Sequence, residues 1–312
     1  MKNNYLVITG LVLAFFGLLL TQNQLEVTPV KPELKIIEQI EEQPMRLLFT
    51  GDLMLGRNVE KIMASRGNNY PFIRVSEFLK EFDLVITNFE GSIPIEHIPT
   101  ESGEFKFSFR KEVLEILKEN NIRVLLLGNN HTYDYGVDGY LNTVSNIYQQ
   151  DLVPVGHPFN QSSDFAYKFK VKNQEIVLLS FNATVPVFPI ESAMNTVREL
   201  DTADNIILTS IHWGNEYELT HSLLQEQLAH KLIEAGSDMI IGTHPHVIQD
   251  TGEYLDKKIF YSLGNFIFDQ YFQDEVQEGY LLEVILNESL ETKIHKIKSI
   301  YSQPYLAESP AI

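Results

Sequence analysis

The sequence predicts an α/β domain whose strand ends meet at one polar site. Three observations carry this. Seven short runs of aliphatic and β-branched residues each end in a small cluster of polar or ionisable ones. Between them lie segments with apolar residues at three- and four-residue spacing. Four of the nine histidines directly follow such runs.

The runs come in this order. Met45 to Thr50 ends in Gly51-Asp52, Leu84 to Thr87 in Asn88-Phe89-Glu90, and Ile122 to Leu127 in Gly128-Asn129-Asn130-His131. Ile176 to Ser180 ends in Phe181-Asn182, and Ile206 to Ile211 in His212-Trp213-Gly214. Met239 to Ile241 ends in Gly242-Thr243-His244-Pro245-His246, and Ile259 to Ser262 in Leu263-Gly264-Asn265-Phe266. Continuous apolar runs of this length suit strands buried on both faces. Arg110 to Asn120 and Leu223 to Glu234 carry the helical spacing. Strands alternating with helices imply a largely parallel sheet, and such sheets bind ligands beyond the carboxyl ends of their strands.

The domain is expected over residues 45–300, with a loose tail over 301–312. Ahead of it, residues 1–22 contain the apolar run Leu6 to Leu20, with Lys2 before it and no further Lys or Arg until Lys31. The run is slightly short of the about 17 to 25 residues of a typical spanning helix. No small-x-small site follows it, so an uncleaved signal anchor is expected rather than a removed peptide. The single leading lysine places the rest outside the cytoplasm, which makes the protein a single-pass cell-membrane one. Residues 23–44, with Pro29, Pro32, Pro44 and an acidic run from Glu38, read as a linker.

Charge and composition narrow the partners. With 24 Lys+Arg against 42 Asp+Glu, the net charge of −18 repels phosphate backbones, so nucleic acid is not expected. The absence of cysteine removes disulfides, thiol nucleophiles and thiolate metal sites. Any metal must therefore be held by oxygen and imidazole. Asp52, Glu90, Asn130, His212, His244 and His246 offer such donors, a set suited to Mn, Fe or Zn and, through its histidines, poorly suited to calcium. They are enough for one divalent ion or for two, with Glu90 able to bridge a pair. Pro245 between His244 and His246 favours an extended backbone that brings both imidazoles to neighbouring positions. His131 is a candidate proton carrier. Asp134 and Asp138 either orient His131 or serve as helix caps and turn residues. Glu216 is either a further ligand or an ordinary surface carboxylate. Trp213 and Phe266 read as packing residues, and His97, His157, His221, His230 and His295 as solvated or capping ones.

At these residues the chain resembles the CapA family, the poly-γ-glutamate capsule-synthesis proteins related to calcineurin-like metallophosphoesterases. The strings that carry the resemblance are GDLML (51–55), NFEGS (88–92), NNHTYDYGVDGYLNT (129–143), HWGNEY (212–217), AGSDMIIGTHPHVIQ (235–249) and YSLGNFIF (261–268). The resemblance implies an α/β metallophosphoesterase-like β-sandwich flanked by helices, with an N-terminal membrane anchor. Asp52 then stands at the first metal motif, Glu90 at the bridging carboxylate, Asn130 at the Asn ligand and His131 at the catalytic histidine, with Asp134 beside it as the further catalytic candidate. His212 matches the isolated histidine ligand, and His244 with His246 the closing pair. One metal shell is complete in Glu90, Asn130, His212 and His244. The other, Asp52, Glu90 and His246, lacks a histidine where Met54 stands, so one well-formed metal position and a weakened or missing second are expected.

The function so implied is the synthesis, export or tethering of poly-γ-glutamate or a related anionic polymer, with capsule-synthase subunits as partners. The site would meet a phosphate- or carboxylate-bearing substrate, with Arg57 or Arg110 lending positive charge if the fold turns them inward. The alternatives are an exported metal-dependent phosphoesterase or amidohydrolase with His131 as general acid, and a non-catalytic scaffold that binds polymer.

Overall fold

All seven runs read as strands are strands, and they divide between two sheets packed face to face. In the computed structural model, residues 44–307 are described apart from 102, 173 and 288. The expected anchor over 1–22 and nearly all of the linker over 23–44 lie outside the described residues, as does the end of the expected tail. No helix among the described residues is long and apolar enough to cross a membrane.

The first half of the chain runs β1 (Met45–Leu53), α1 (Arg57–Arg66), α2 (Ser76–Leu79), β2 (Leu84–Phe89), α3 (Val113–Glu119), β3 (Ile122–Leu126), α4 (Gly136–Gln149) and β4 (Val153–Val155). It continues through β5 (Tyr167–Val171), β6 (Gln174–Asn182), α5 (Ile190–Leu200), β7 (Asn205–His212), α6 (Leu223–Glu234) and β8 (Met239–Thr243). The remainder is all strand: β9 (Thr251–Tyr254), β10 (Lys257–Phe260), β11 (Asn265–Ile267), β12 (Glu278–Leu286), β13 (Leu290–Ile300) and β14 (Gln303–Leu306). α6 starts where the sequence reading places it because Ser222 and Gln225 cap it reciprocally.

One sheet has the order β14-β13-β12-β1-β2-β3-β4, with β11 also paired to β1; the other runs β5-β6-β7-β8-β10-β9. The alternation of side chains along a strand builds the layers. Leu47, Phe49, Ile86, Leu126, Leu178, Leu208 and Ile241 fill the space between the sheets. Their neighbours Leu48, Val85 and Leu125 face one outer layer together with helical residues such as Val59, Leu117 and Ile147. Val177, Ile207 and Ile240 face the other, against Val197, Leu228 and Leu232. The result is the expected β-sandwich flanked by helices.

Two expectations need correction. The sheets are only partly parallel: β12, β13 and β14 pair antiparallel along one side of the first sheet, and β5 and β9 at the two edges of the second. β13 alternates half-buried and exposed residues, so it carries no continuous apolar run to betray it. The domain also continues past residue 300 into the stretch read as tail. There β14 pairs with β13, and Gln303 is buried with its Nε2 donating to the Tyr70 carbonyl at 2.8 Å.

Register then positions the site. Asp52 lies abreast of Asn88 on β2 and of Asn265 on β11, while His212 lies abreast of Asn182 on β6 and Thr243 on β8. The chain passes too close there for side chains: a Cβ on Gly51 would come within 1.8 Å of the Gly264 carbonyl oxygen, and one on Gly242 within 2.0 Å of that of Tyr261.

Candidate metal centre

The strand ends bring Asp52, Glu90, Asn130, His131, His212, His244 and His246 together. At the centre is Asn88, whose Nδ2 donates to Asp52 Oδ1 at 2.7 Å and to Glu90 Oε2 at 3.3 Å, and stands 3.2 Å from His212 Nδ1. Asn129 fixes that amide by donating to Asn88 Oδ1 at 3.1 Å. The other His212 nitrogen, Nε2, lies 2.8 Å from Asn130 Oδ1, and Nδ1 also meets Thr243 Oγ1 at 2.9 Å. From the opposite side, His246 Nδ1 approaches Asp52 Oδ2 at 3.1 Å and Asn265 Oδ1 at 3.0 Å. The backbone N–H of His244 donates to Asp52 Oδ2 at 3.3 Å. The ligand atoms of Asp52, Glu90 and His212 lie within 4.8 Å of one another, and so do those of Glu216, His244 and His246.

His131 sits at the edge of this group. Its Nδ1 donates to Asp134 Oδ2 at 2.8 Å, and that oxygen also accepts the Phe107 N–H at 2.7 Å. The imidazole stacks on the Phe107 ring with centroids 3.8 Å apart. Its position is thereby fixed with Nε2 3.9 Å from Glu90 Oε1. Of the two aspartates, each read as either orienting His131 or serving a cap or turn, Asp134 orients His131 and Asp138 lies exposed in the first turn of α4.

Charge is unbalanced here. Asp52 and Glu90 are fully buried, and every ion-pair partner of theirs among the described residues is a histidine. Burial, followed by the Asp52 charge, pushes the Glu90 carboxyl well above its usual range. Burial, followed by the neighbouring histidines, pushes His212 well below its usual range. His244 is pushed down to about 4, again chiefly by burial and then by His246. The His212 and His244 imidazoles, held neutral by burial, cannot compensate two carboxylates, and uncompensated buried charge is costly.

Within this group of residues, two buried atoms lack a hydrogen-bond partner: Glu90 Oε1 and His244 Nδ1. Glu90 Oε1 faces His246 Nε2 at 3.8 Å and His131 Nε2 at 3.9 Å, too far for hydrogen bonds. Two donors sharing an ion at about 2.0–2.2 Å each stand roughly 3–4 Å apart. Donor type, charge deficit and spacing therefore all fit a divalent cation.

Several expectations change. The backbone around Pro245 is not extended: His244 has φ +98° and His246 φ +60°. This is strained for residues with a side chain, and such strain gathers at functional sites. Met54 points away into the core, where it is fully buried and its Sδ accepts the Gly56 N–H at 3.1 Å. Arg57 and Arg110 offer no free charge: Arg57 pairs with Asp269 beneath the Phe107 ring, and Arg110 with Glu60 at 3.0 Å. Trp213 and Phe266 are core residues, as read. His97, His221 and His295 pair with Glu60, Asp250 and Glu283, His230 stacks on Tyr254, and His157 Nδ1 accepts from Phe159 and Asn160. The sequence reading missed Asn88, Thr243 and Asn265 as site residues. What marks them is their position abreast of Asp52 and His212, which only strand pairing shows.

The family described as bacterial capsule synthesis protein PGA_cap matches residues 46–270. Capsule biosynthesis protein CapA of Bacillus anthracis is 32% identical over 256 residues, which cover 75% of this chain and 62% of that protein. PGA biosynthesis protein CapA of Bacillus subtilis (strain 168) is 31% identical over 257 residues, covering 77% and 67%. The chain thus spans less than two thirds of the first relative's length and about two thirds of the second's. Among solved structures, a novel phosphatase from Mycoplasma pneumoniae superposes with TM-score 0.53 at 15% identity, covering 82% of this chain and 94% of that one. At that identity the likeness is one of fold.

Proposed function

The chain belongs to the bacterial capsule synthesis family PGA_cap, and from that premise we propose that it acts in making, exporting or tethering poly-γ-glutamate or a related anionic polymer through a divalent cation held at its strand ends. One observation carries the metal part: two fully buried carboxylates share an enclosure with imidazoles and amides, and one carboxylate oxygen is left without a partner. Asp52, Glu90, Asn130 and His212 would hold the ion, with His244 and His246 beside them. Manganese, iron and zinc suit these donors. When bound, such an ion polarises an oxygen of a carboxylate or phosphate and acidifies a water.

An anionic polymer approaching a chain of net charge −18 needs local positive charge. Since Arg57 and Arg110 are committed to acidic partners, that charge comes from the cation. The remaining residues position and move protons. Asn88 holds Asp52 and Glu90 side by side, and Thr243 and Asn130 fix the His212 ring. Asp134 keeps the His131 Nδ1 proton in place, leaving Nε2 facing the site as a proton donor or acceptor. The apolar run Leu6 to Leu20 supports membrane attachment with this domain outside the cytoplasm, where it would meet polymer and synthase subunits.

A second reading, a metal-dependent hydrolase of phosphoesters or amides, is favoured by the His131–Asp134 pair, an arrangement that suits proton transfer more than polymer binding. Complementation separates the readings. In polymer-producing cells stripped of their own homologue, the wild-type chain restores surface polymer and His212→Ala does not. Equal restoration by both would remove the metal site from the function. Metal-dependent turnover of a phosphoester or of poly-γ-glutamate, lost in His131→Ala, would establish the hydrolase.

A further inference from the structure

The cation proposed at Asp52, Glu90 and His212 leaves a second group of donors unassigned. Glu216, His244 and His246 each place a ligand atom within 4.8 Å of the other two. Met54, two residues after Asp52, contributes nothing here because its sulfur is buried against the Gly56 N–H.

Glu216 is exposed, yet the segment carrying it is pinned to the histidine turn. The Tyr217 N–H donates to the Pro245 carbonyl at 2.8 Å. Buried Gln249 donates from Nε2 to the Glu218 and Thr220 carbonyls at 2.8 and 3.2 Å, and accepts from Gln225 Nε2 at 2.9 Å. Gln270 donates to the Tyr217 hydroxyl at 3.1 Å. A second observation is independent of that loop: His244 is only 8% exposed and its Nδ1 has no partner. A buried polar atom left unmatched is rare enough in folded proteins to require a ligand or an explanation.

We propose that Glu216, His244 and His246 form a second cation position on the solvent side of the first. It deepens the reading of a metal-dependent site and rests on it for the assignment of the inner ion. Two imidazoles and one carboxylate form the donor set of open zinc and non-haem iron sites, which leave coordination positions for an incoming oxygen ligand. Because Glu216 faces solvent, those positions open outward, toward an anionic group of the substrate. The donor missing at Met54 is thus made good from the loop after β7.

The test is a cation titration of the full chain, stripped with chelator, using Mn²⁺ and separately Zn²⁺, with calorimetry and bulk metal analysis as readouts. The wild type takes up two ions. Glu216→Gln takes up one, its second ion weakened about tenfold or more, with circular dichroism unchanged because the side chain is exposed. Glu216→His restores the second ion by supplying another donor, which a merely structural role for Glu216 would not predict. His212→Ala loses the inner ion and keeps the one that depends on Glu216. Unchanged stoichiometry and affinity in Glu216→Gln overturns this outer position. If that result accompanies loss of the only ion in His212→Ala, the inner site still stands. A single ion lost in Glu216→Gln and kept in His212→Ala overturns the inner site instead, and no ion in any protein overturns both.

Discussion

Glu283 and Glu90 are the two most deeply buried glutamates among the described residues, and their surroundings differ in kind. Glu283, on β12, is 2% exposed, and Arg46 Nε and His295 Nε2 meet its two oxygens at 2.6 and 2.8 Å. Burial alone would raise its carboxyl, but the hydrogen bonds from Arg46 and His295 bring it below the usual range. Glu90, at the end of β2, is 0% exposed, has one oxygen without a partner, and is pushed up by burial and by Asp52. The first carboxylate is neutralised by the chain's own cations. The second is left for a cation that the chain does not encode. Burial of a charge alone therefore does not mark a functional site; burial without a compensating charge does.

The same substitution at both positions is the sharpest way to break the comparison. Glu283→Gln removes the carboxylate to which Arg46 and His295 both donate and costs about 1–3 kcal/mol of unfolding stability. Glu90→Gln, measured by denaturant unfolding of the metal-free protein at neutral pH, raises stability, because it removes an uncompensated buried charge. Equal losses at both would erase the distinction. Next in size, His212→Ala weakens Mn²⁺ or Zn²⁺ binding about a hundredfold, or about 2.7 kcal/mol, whereas Glu283→Gln leaves the affinity unchanged.

The pH profile sharpens the contrast further. A carboxyl raised in the folded state favours folding below its ordinary value, near 4.5, and loses that contribution as pH rises through the raised value. The metal-free protein therefore loses stability with rising pH on account of Glu90, and Glu90→Gln flattens that limb. Glu283 has the opposite sign: its contribution is present above 4.5 and is lost as pH falls through its lowered value. Glu283→Gln flattens the acid limb. Smallest of all, Asp138→Asn on exposed α4 moves stability by no more than about 0.5 kcal/mol and leaves metal affinity unchanged, while Asp134→Asn alters the pH dependence of any turnover through His131.

This contrast also explains what the sequence made legible. The seven strands that lead to the site could be read because strands buried on both faces leave uninterrupted apolar runs, and their polar ends named Asp52, Glu90, His212 and the rest. β13 could not, since a lysine-rich strand such as Leu290–Ile300 with mostly half-buried and exposed residues looks like surface. Asn88 and Asn265 were hidden because their importance lies in register with Asp52, which pairing alone reveals. The bent backbone at His244 and His246 was misread from Pro245, since tertiary contacts from the Tyr217 segment override a local preference. The match to the capsule synthesis family was legible through strings that are almost all strand ends and the turns after them.

The central claim is that Glu90 and its neighbours are completed by a divalent cation. It is tested most directly by thermal unfolding of the full chain, stripped with chelator and then titrated with Mn²⁺ or Zn²⁺. At an ion concentration 100 times the dissociation constant, binding adds about 2.7 kcal/mol of stability. The melting temperature rises accordingly in the wild type and rises less in Glu90→Gln, which keeps only the ion that depends on Glu216. An equal rise in both proteins, or none in either, would contradict the account.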